Sequence, residues 1–142
     1  MARERVPGAD DAVMPEAERI EVLIAEDEPL ARLAAAQALL AVGFEVIQAS
    51  DATEALAILA ERETVRALVT DIVMPSGTVN GYQLAAMIAA RWPQIRILIV
   101  SGADRPQPGE LPLGVGFLAK PWTGPDLADA VLALVERQNA CA

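Results

Sequence analysis

Histidine is absent from this chain, cysteine occurs once, and aromatic residues make up only 4% of its 142 positions. Without an imidazole or a pair of thiols, the chain lacks the ligands zinc usually takes. The single thiol, Cys141, has no partner for an internal disulfide and lies too close to the end for a prenylation box. Positive charge is also scarce. Eleven Lys and Arg face 20 Asp and Glu, a formal net charge of −9, which argues against a nonspecific grip on nucleic-acid backbone or anionic lipid. No apolar run approaches the roughly 20 residues of a membrane helix, and no basic segment followed by an apolar one opens the chain. A cytoplasmic protein is expected, with no nucleic acid and no membrane insertion.

What is there is aliphatic. Hydrophobic residues make up 54% of the sequence, rich in Ala, Leu and Val, as suits strands and helices packed in layers. The length fits one domain, without room for a second catalytic or DNA-binding one. Residues 1–19 hold Pro7, Gly8, Pro15 and scattered charges without apolar periodicity and read as a flexible tail. Residues 20–138 read as the domain and 139–142 as a second short tail. Within the domain, short apolar runs alternate with helical patterns, the signature of βαβ units and a parallel sheet. The strand candidates are residues 20–26, 44–49, 67–71, 95–101 and 116–119. Runs such as Val22-Leu23-Ile24-Ala25 show no polar alternation, as expected of strands covered on both faces.

Four helices carry recognisable signals. The first starts at Pro29 and ends before Gly43, and its Ala-rich pattern leaves the buried face undefined. The second opens with Asp51-Ala52-Thr53-Glu54, a capping-box sequence. The third runs from about Tyr82 to Arg91, with Pro93 beyond it, and the last follows Thr123-Gly124-Pro125 with Leu127, Val131, Leu134 and Val135 at helical spacing. Between them, residues 102–115 contain Pro106, Pro108 and Pro112, which leave at most a turn or two of helix where the alternation calls for one.

Ligands of an open parallel sheet bind outside the carboxyl ends of its strands. The predicted strands end at Glu26-Asp27-Glu28, at Asp71, at Ser101 and just before Lys120, all on one edge. Acidic residues meeting there from two strands need a cation or a proton between them. Hard oxygen ligands with room for water suit Mg²⁺, which would steer phosphate towards in-line attack by a carboxylate. Lys120 offers a compact charge and Ser101 a hydroxyl donor for phosphate oxygens. Glu28 is read as a solvated first-turn acid favoured by the helix dipole.

In these residues the sequence resembles the response-regulator receiver domains of two-component signalling. Val22 to Pro29 resembles the family's first strand and acidic pair, Asp71-Ile72-Val73-Met74-Pro75 its phosphorylation segment, Ser101-Gly102-Ala103 its switch hydroxyl, and Phe117-Leu118-Ala119-Lys120-Pro121 its last strand. The resemblance implies a flavodoxin-like (CheY-like) α/β fold: a doubly wound five-stranded parallel sheet of order 2-1-3-4-5, helices on both faces, and a shortened or missing fourth helix. It implies Asp71 as phospho-acceptor, with Glu26, Asp27, Asp71 and the Val73 carbonyl holding Mg²⁺ or Mn²⁺. Lys120 becomes the phosphate-binding lysine, Ser101 and Phe117 the switch pair, and a cis bond precedes Pro121. The implied partners are a histidine kinase or histidine phosphotransfer protein and an unknown downstream protein. The output would be phosphorylation-dependent docking, or service as a phosphate sink or relay, without enzymatic turnover beyond the domain's own phosphorylation and slow dephosphorylation.

Three features depart from the pattern. Glu26 stands where Asp is commoner, the loop before Gly81 is long, and residues 102–115 are Pro-rich, which suggests a segment ordered on phosphorylation. A phosphatase of haloacid-dehalogenase type would need a second acid where Val73 stands. The remaining alternative is a phosphorylation-independent interaction module on the same fold.

Overall fold

Residues 19–72, 81–102 and 114–140 are described in the computed structural model of the chain. The elements run β1 (Glu21–Ala25), α1 (Pro29–Leu40), β2 (Glu45–Ala49), α2 (Ala52–Glu61), β3 (Val65–Asp71), α3 (Gly81–Arg91), β4 (Arg96–Ser101), β5 (Gly116–Ala119) and α4 (Gly124–Ala140). All strand pairings are parallel, in the order β2-β1-β3-β4-β5. This is the expected doubly wound fold with helices on both faces. The tail before Arg19 and most of the Pro-rich stretch, residues 103–113, lie outside the described residues.

Alternate residues of the central strands feed two separate cores, which is why their sequences lack polar alternation. On one face Leu23, Ala25, Leu68, Ile97 and Ile99 pack with Leu59 of α2 and Leu84 and Ile88 of α3. On the other, Val22, Ile24, Val69, Leu98 and Val100 pack with Leu39 of α1 and Leu127, Val131 and Leu134 of α4. Burial of these aliphatic side chains, at about 25 cal/mol per Å² of apolar surface, is the main force holding the layers together.

The helix ends are fixed by side chains. Asp51 accepts from the Glu54 N–H at 2.8 Å, while the Glu54 carboxylate reaches back to the Ser50 N–H at 2.7 Å, one residue further than a capping box requires. A full box that the sequence reading passed over sits at α4. There the Asp126 N–H donates to Thr123 Oγ1 at 3.1 Å and the Thr123 N–H to Asp126 Oδ2 at 3.0 Å. At the end of α1 the chain reverses through Gly43, whose φ of 99° is open to glycine at little cost.

The face of α1 that composition left undefined is settled by packing. Ala35, Ala36 and Leu39 are buried, whereas Leu30 and Leu33 are 73% and 47% exposed. Small alanines let the helix lie close to the sheet. Replacing Leu30 or Leu33 with Gln should therefore shift unfolding free energy by no more than about 0.5 kcal/mol, and Ala36→Leu should cost about 1–3 kcal/mol through overpacking, both read from urea denaturation.

Candidate functional site

Sheet register brings the polar residues together one strand at a time. Ala25 is opposite Thr70, so the residues that follow them, Glu26 and Asp71, leave the sheet side by side. Asp71 in turn is opposite Val100, which precedes Ser101, and Ser101 is opposite Ala119, which precedes Lys120. The Lys120 N–H continues this edge by donating to the Ser101 carbonyl at 2.8 Å. A cis bond joins Lys120 to Pro121, as the resemblance implied.

Three charges meet at the centre. Lys120 Nζ lies 2.8 Å from Asp71 Oδ2 and 3.8 Å from Glu26 Oε1, with the carboxylate side chains only 13% and 8% exposed. The second Asp71 oxygen accepts from the Ile72 N–H at 2.6 Å. On the Glu26 side, Oε2 accepts from the Glu28 N–H at 3.0 Å. The Glu28 side chain points the other way and caps α1 through the N–H groups of Leu30 and Ala31, so it serves the helix rather than the site. Ser101 is buried at the end of β4, and Phe117 is half-buried against the core formed with Leu23 and Ile99. Val73 lies outside the described residues.

The titration of Glu26 records the crowding. Burial is the largest cause and, with the Asp71 charge and a hydrogen bond to Asp27, pushes its carboxyl up to about 7, against the opposing pull of the Glu28 N–H and of Lys120. Burial alone would lower Lys120. Its hydrogen bond to Asp71 and the charges of Asp71, Glu26 and Asp27 outweigh that and leave it raised.

The donor set fits a hard divalent cation. Two carboxylates from neighbouring strands already share one cationic neighbour, and Glu26 is short of positive charge. Among the described residues no group of three or more His, Cys, Asp or Glu is gathered around a metal position; the Glu26 and Asp71 carboxylates offer hard oxygen ligands of the kind Mg²⁺ takes alongside its own water. Behind the carboxylates lies a gap of about 20 Å³, room for about one water, lined by Ala31, Ala35, Val69 and Trp122 among others.

Sequence reasoning placed Glu26, Asp71, Ser101 and Lys120 on this edge, and the structure places them there. It passed over Thr70, fully buried, whose hydroxyl donates to the Asp71 carbonyl at 3.0 Å. It also passed over Arg32, whose Nη1 donates to the Glu26 carbonyl at 2.9 Å. A polar residue inside an apolar strand run was the available signal for Thr70. A basic residue in the first turn of α1, just after three acids, was the one for Arg32.

A profile of the family described as the response regulator receiver domain matches residues 22–132. The chain belongs to that family, whose members are phospho-acceptor domains of two-component signalling and typically bind Mg²⁺. Among solved structures, the receiver domain protein of Clostridium thermocellum shares 26% identity at a TM-score of 0.74, the match covering 87% of this chain and 99% of that one. The receiver domain of the hybrid histidine kinase CckA shares 30% identity at a TM-score of 0.64, over 83% and 97% of the two chains. A CheY-like receiver of Methanospirillum hungatei JF-1, at 23% identity and a TM-score of 0.78 over 88% and 100%, matches in fold. No curated protein sequence matches the chain. Among the described residues no helix is long and apolar enough to cross a membrane.

The raised carboxyl has a consequence for stability. A folded-state value of about 7 against an ordinary 4.5 means that Glu26 contributes stability below pH 4.5, which is lost as pH rises through 7. In metal-free buffer, urea melts should show the wild type losing roughly 2 kcal/mol more than Glu26→Gln between pH 5 and pH 8. Parallel pH profiles would place the loss elsewhere.

Proposed function

We propose that Asp71 accepts a phosphoryl group from the phosphohistidine of a histidine kinase or histidine phosphotransfer protein, in a reaction that depends on Mg²⁺ or Mn²⁺. The observation that carries this reading is the meeting of Asp71, Glu26 and Lys120 at neighbouring strand ends, with Lys120 Nζ within 4 Å of both carboxylates. Glu26, Asp27 and Asp71, with the Val73 carbonyl, would hold the ion, which when bound offsets the charge of the incoming phosphate.

An Asp71 carboxylate oxygen attacks phosphorus, and the P–N bond of the donor breaks as its electron pair returns to the imidazole. The new acyl phosphate no longer holds a free carboxylate for Lys120. The ammonium moves from Oδ2 to a phosphoryl oxygen, a shift that keeps its charge paired throughout. Ser101 donates its hydroxyl to another phosphoryl oxygen, and Phe117, on the strand beside it, follows that movement inward. The chain acts in the cytoplasm through docking to a downstream protein, or as a phosphate sink or relay.

Incubation with acetyl phosphate and Mg²⁺ should add one phosphoryl group, mapped by mass spectrometry to Asp71, and Asp71→Asn should abolish it. Lys120→Ala should leave the fold intact and slow the reaction by about 10²-fold or more, on the scale of removing one electrostatic group from a transition state. Labelling of Asp71→Asn to the wild-type extent would sink the assignment and favour a phosphorylation-independent module.

Hydrolysis of the acyl phosphate should be slow, because Val73 and Ala103 offer no polar side chain to orient a water. Val73→Asn should hasten phospho-Asp71 decay several-fold in a radiolabel chase, and an unchanged half-life would count against this account.

A further inference from the structure

The chain carrying Glu26 and Asp27 leaves the sheet after Ala25 and enters α1 at Pro29. Its first residue is held at three atoms. The Glu26 N–H donates to the Ala49 carbonyl at 3.1 Å, its side-chain Oε2 accepts from the Glu28 N–H at 3.0 Å, and its carbonyl accepts from Arg32 Nη1 at 2.9 Å. The first two contacts come from the sheet edge and from the turn itself. The third ties the turn to the body of the helix.

Arg32 is half-buried, and its own N–H closes the first turn of α1 on the Glu28 carbonyl at 2.9 Å. A cation this close to a helix N-terminus opposes the helix dipole, so its placement calls for a compensating contact. None of the ion pairs among the described residues, Arg62–Glu21 and those of Lys120, involves Arg32. Its contact with the acidic segment runs through a backbone carbonyl.

We infer that Arg32 is a positioning residue for the cation site: by holding the Glu26 carbonyl it fixes the direction in which the chain leaves β1, and with it the aim of the Glu26 and Asp27 carboxylates. The inference rests on the reading of those two carboxylates as metal ligands. Groups that orient ligands from behind commonly govern affinity without touching the ion. Charge and tether have opposite signs here. As a bare positive charge Arg32 repels a divalent cation, so losing it would tighten binding, whereas losing the tether would loosen it.

Calorimetric titration of Mg²⁺ into wild type, Arg32→Ala and Arg32→Lys at one pH and ionic strength separates the two, with thermal melts to confirm folding. Arg32→Ala should raise the Mg²⁺ dissociation constant about 5–10-fold, and Arg32→Lys, which keeps a donor and the charge, should stay within about twofold of wild type. Unchanged or tighter binding in Arg32→Ala overturns the inference. A metal-free arm keeps the two readings apart. Amide hydrogen exchange at Glu28, which reports the Glu26 carboxylate, should quicken in Arg32→Ala and not in Arg32→Lys. If wild type takes up no Mg²⁺, the ligand reading fails, and equal exchange at Glu28 in all three proteins overturns the positioning role as well.

Discussion

Two carboxylates buried at adjacent strand ends cannot both stay charged without a counter-charge close by. Lys120 supplies it, 2.8 Å from Asp71 and 3.8 Å from Glu26, and the rest of the edge is arranged to hold that ammonium where it is. The backbone of Lys120 is pinned to Ser101, Asp71 is gripped by the Ile72 N–H, and the Asp71 carbonyl is held by Thr70. Burial above all, together with the Asp71 charge that Lys120 offsets only in part, is why Glu26 resists ionisation. A further cation at this edge would offset that repulsion.

The parallel sheet makes this arrangement possible. With every strand running the same way, all the carboxyl ends fall on one edge: Glu26 and Asp71 are level, Ser101 lies one residue further out and Lys120 one beyond that. The apolar cores on both faces keep the strands from sliding, since a slip of one residue would move every buried side chain into the opposite core, whose helices are packed for another shape. Chemistry at the rim thus depends on burial far below it.

The same logic explains what could be read in the chain beforehand. Each reacting side chain ends a largely apolar run, so position along the run reported position in space, and five short strand-like segments in order made the fold legible. Other features left no such trace. In α1, alanine and leucine are nearly equivalent on any pattern, and only contact with the sheet distinguishes buried Ala36 from exposed Leu33. The Arg32 contact was hidden for another reason: its acceptor is a backbone carbonyl, which every residue carries and no letter marks. The displaced cap at Ser50 depends on local backbone direction, which the Asp51–Glu54 spacing does not encode.

The gap behind the carboxylates has a use in the laboratory. One of its walls is the indole of Trp122, which shares the gap with Glu26, Asp71 and Lys120. The chain's other tryptophan, Trp92, lies past the end of α3 with the Arg91 guanidinium 4.4 Å from its ring centre. Indole emission shifts with the local electric field, so movement of charge at the rim alters one emitter and leaves the other as a constant background. With Trp92 replaced by Phe, the protein becomes its own single-colour optical gauge of the acidic cluster, needing no attached dye.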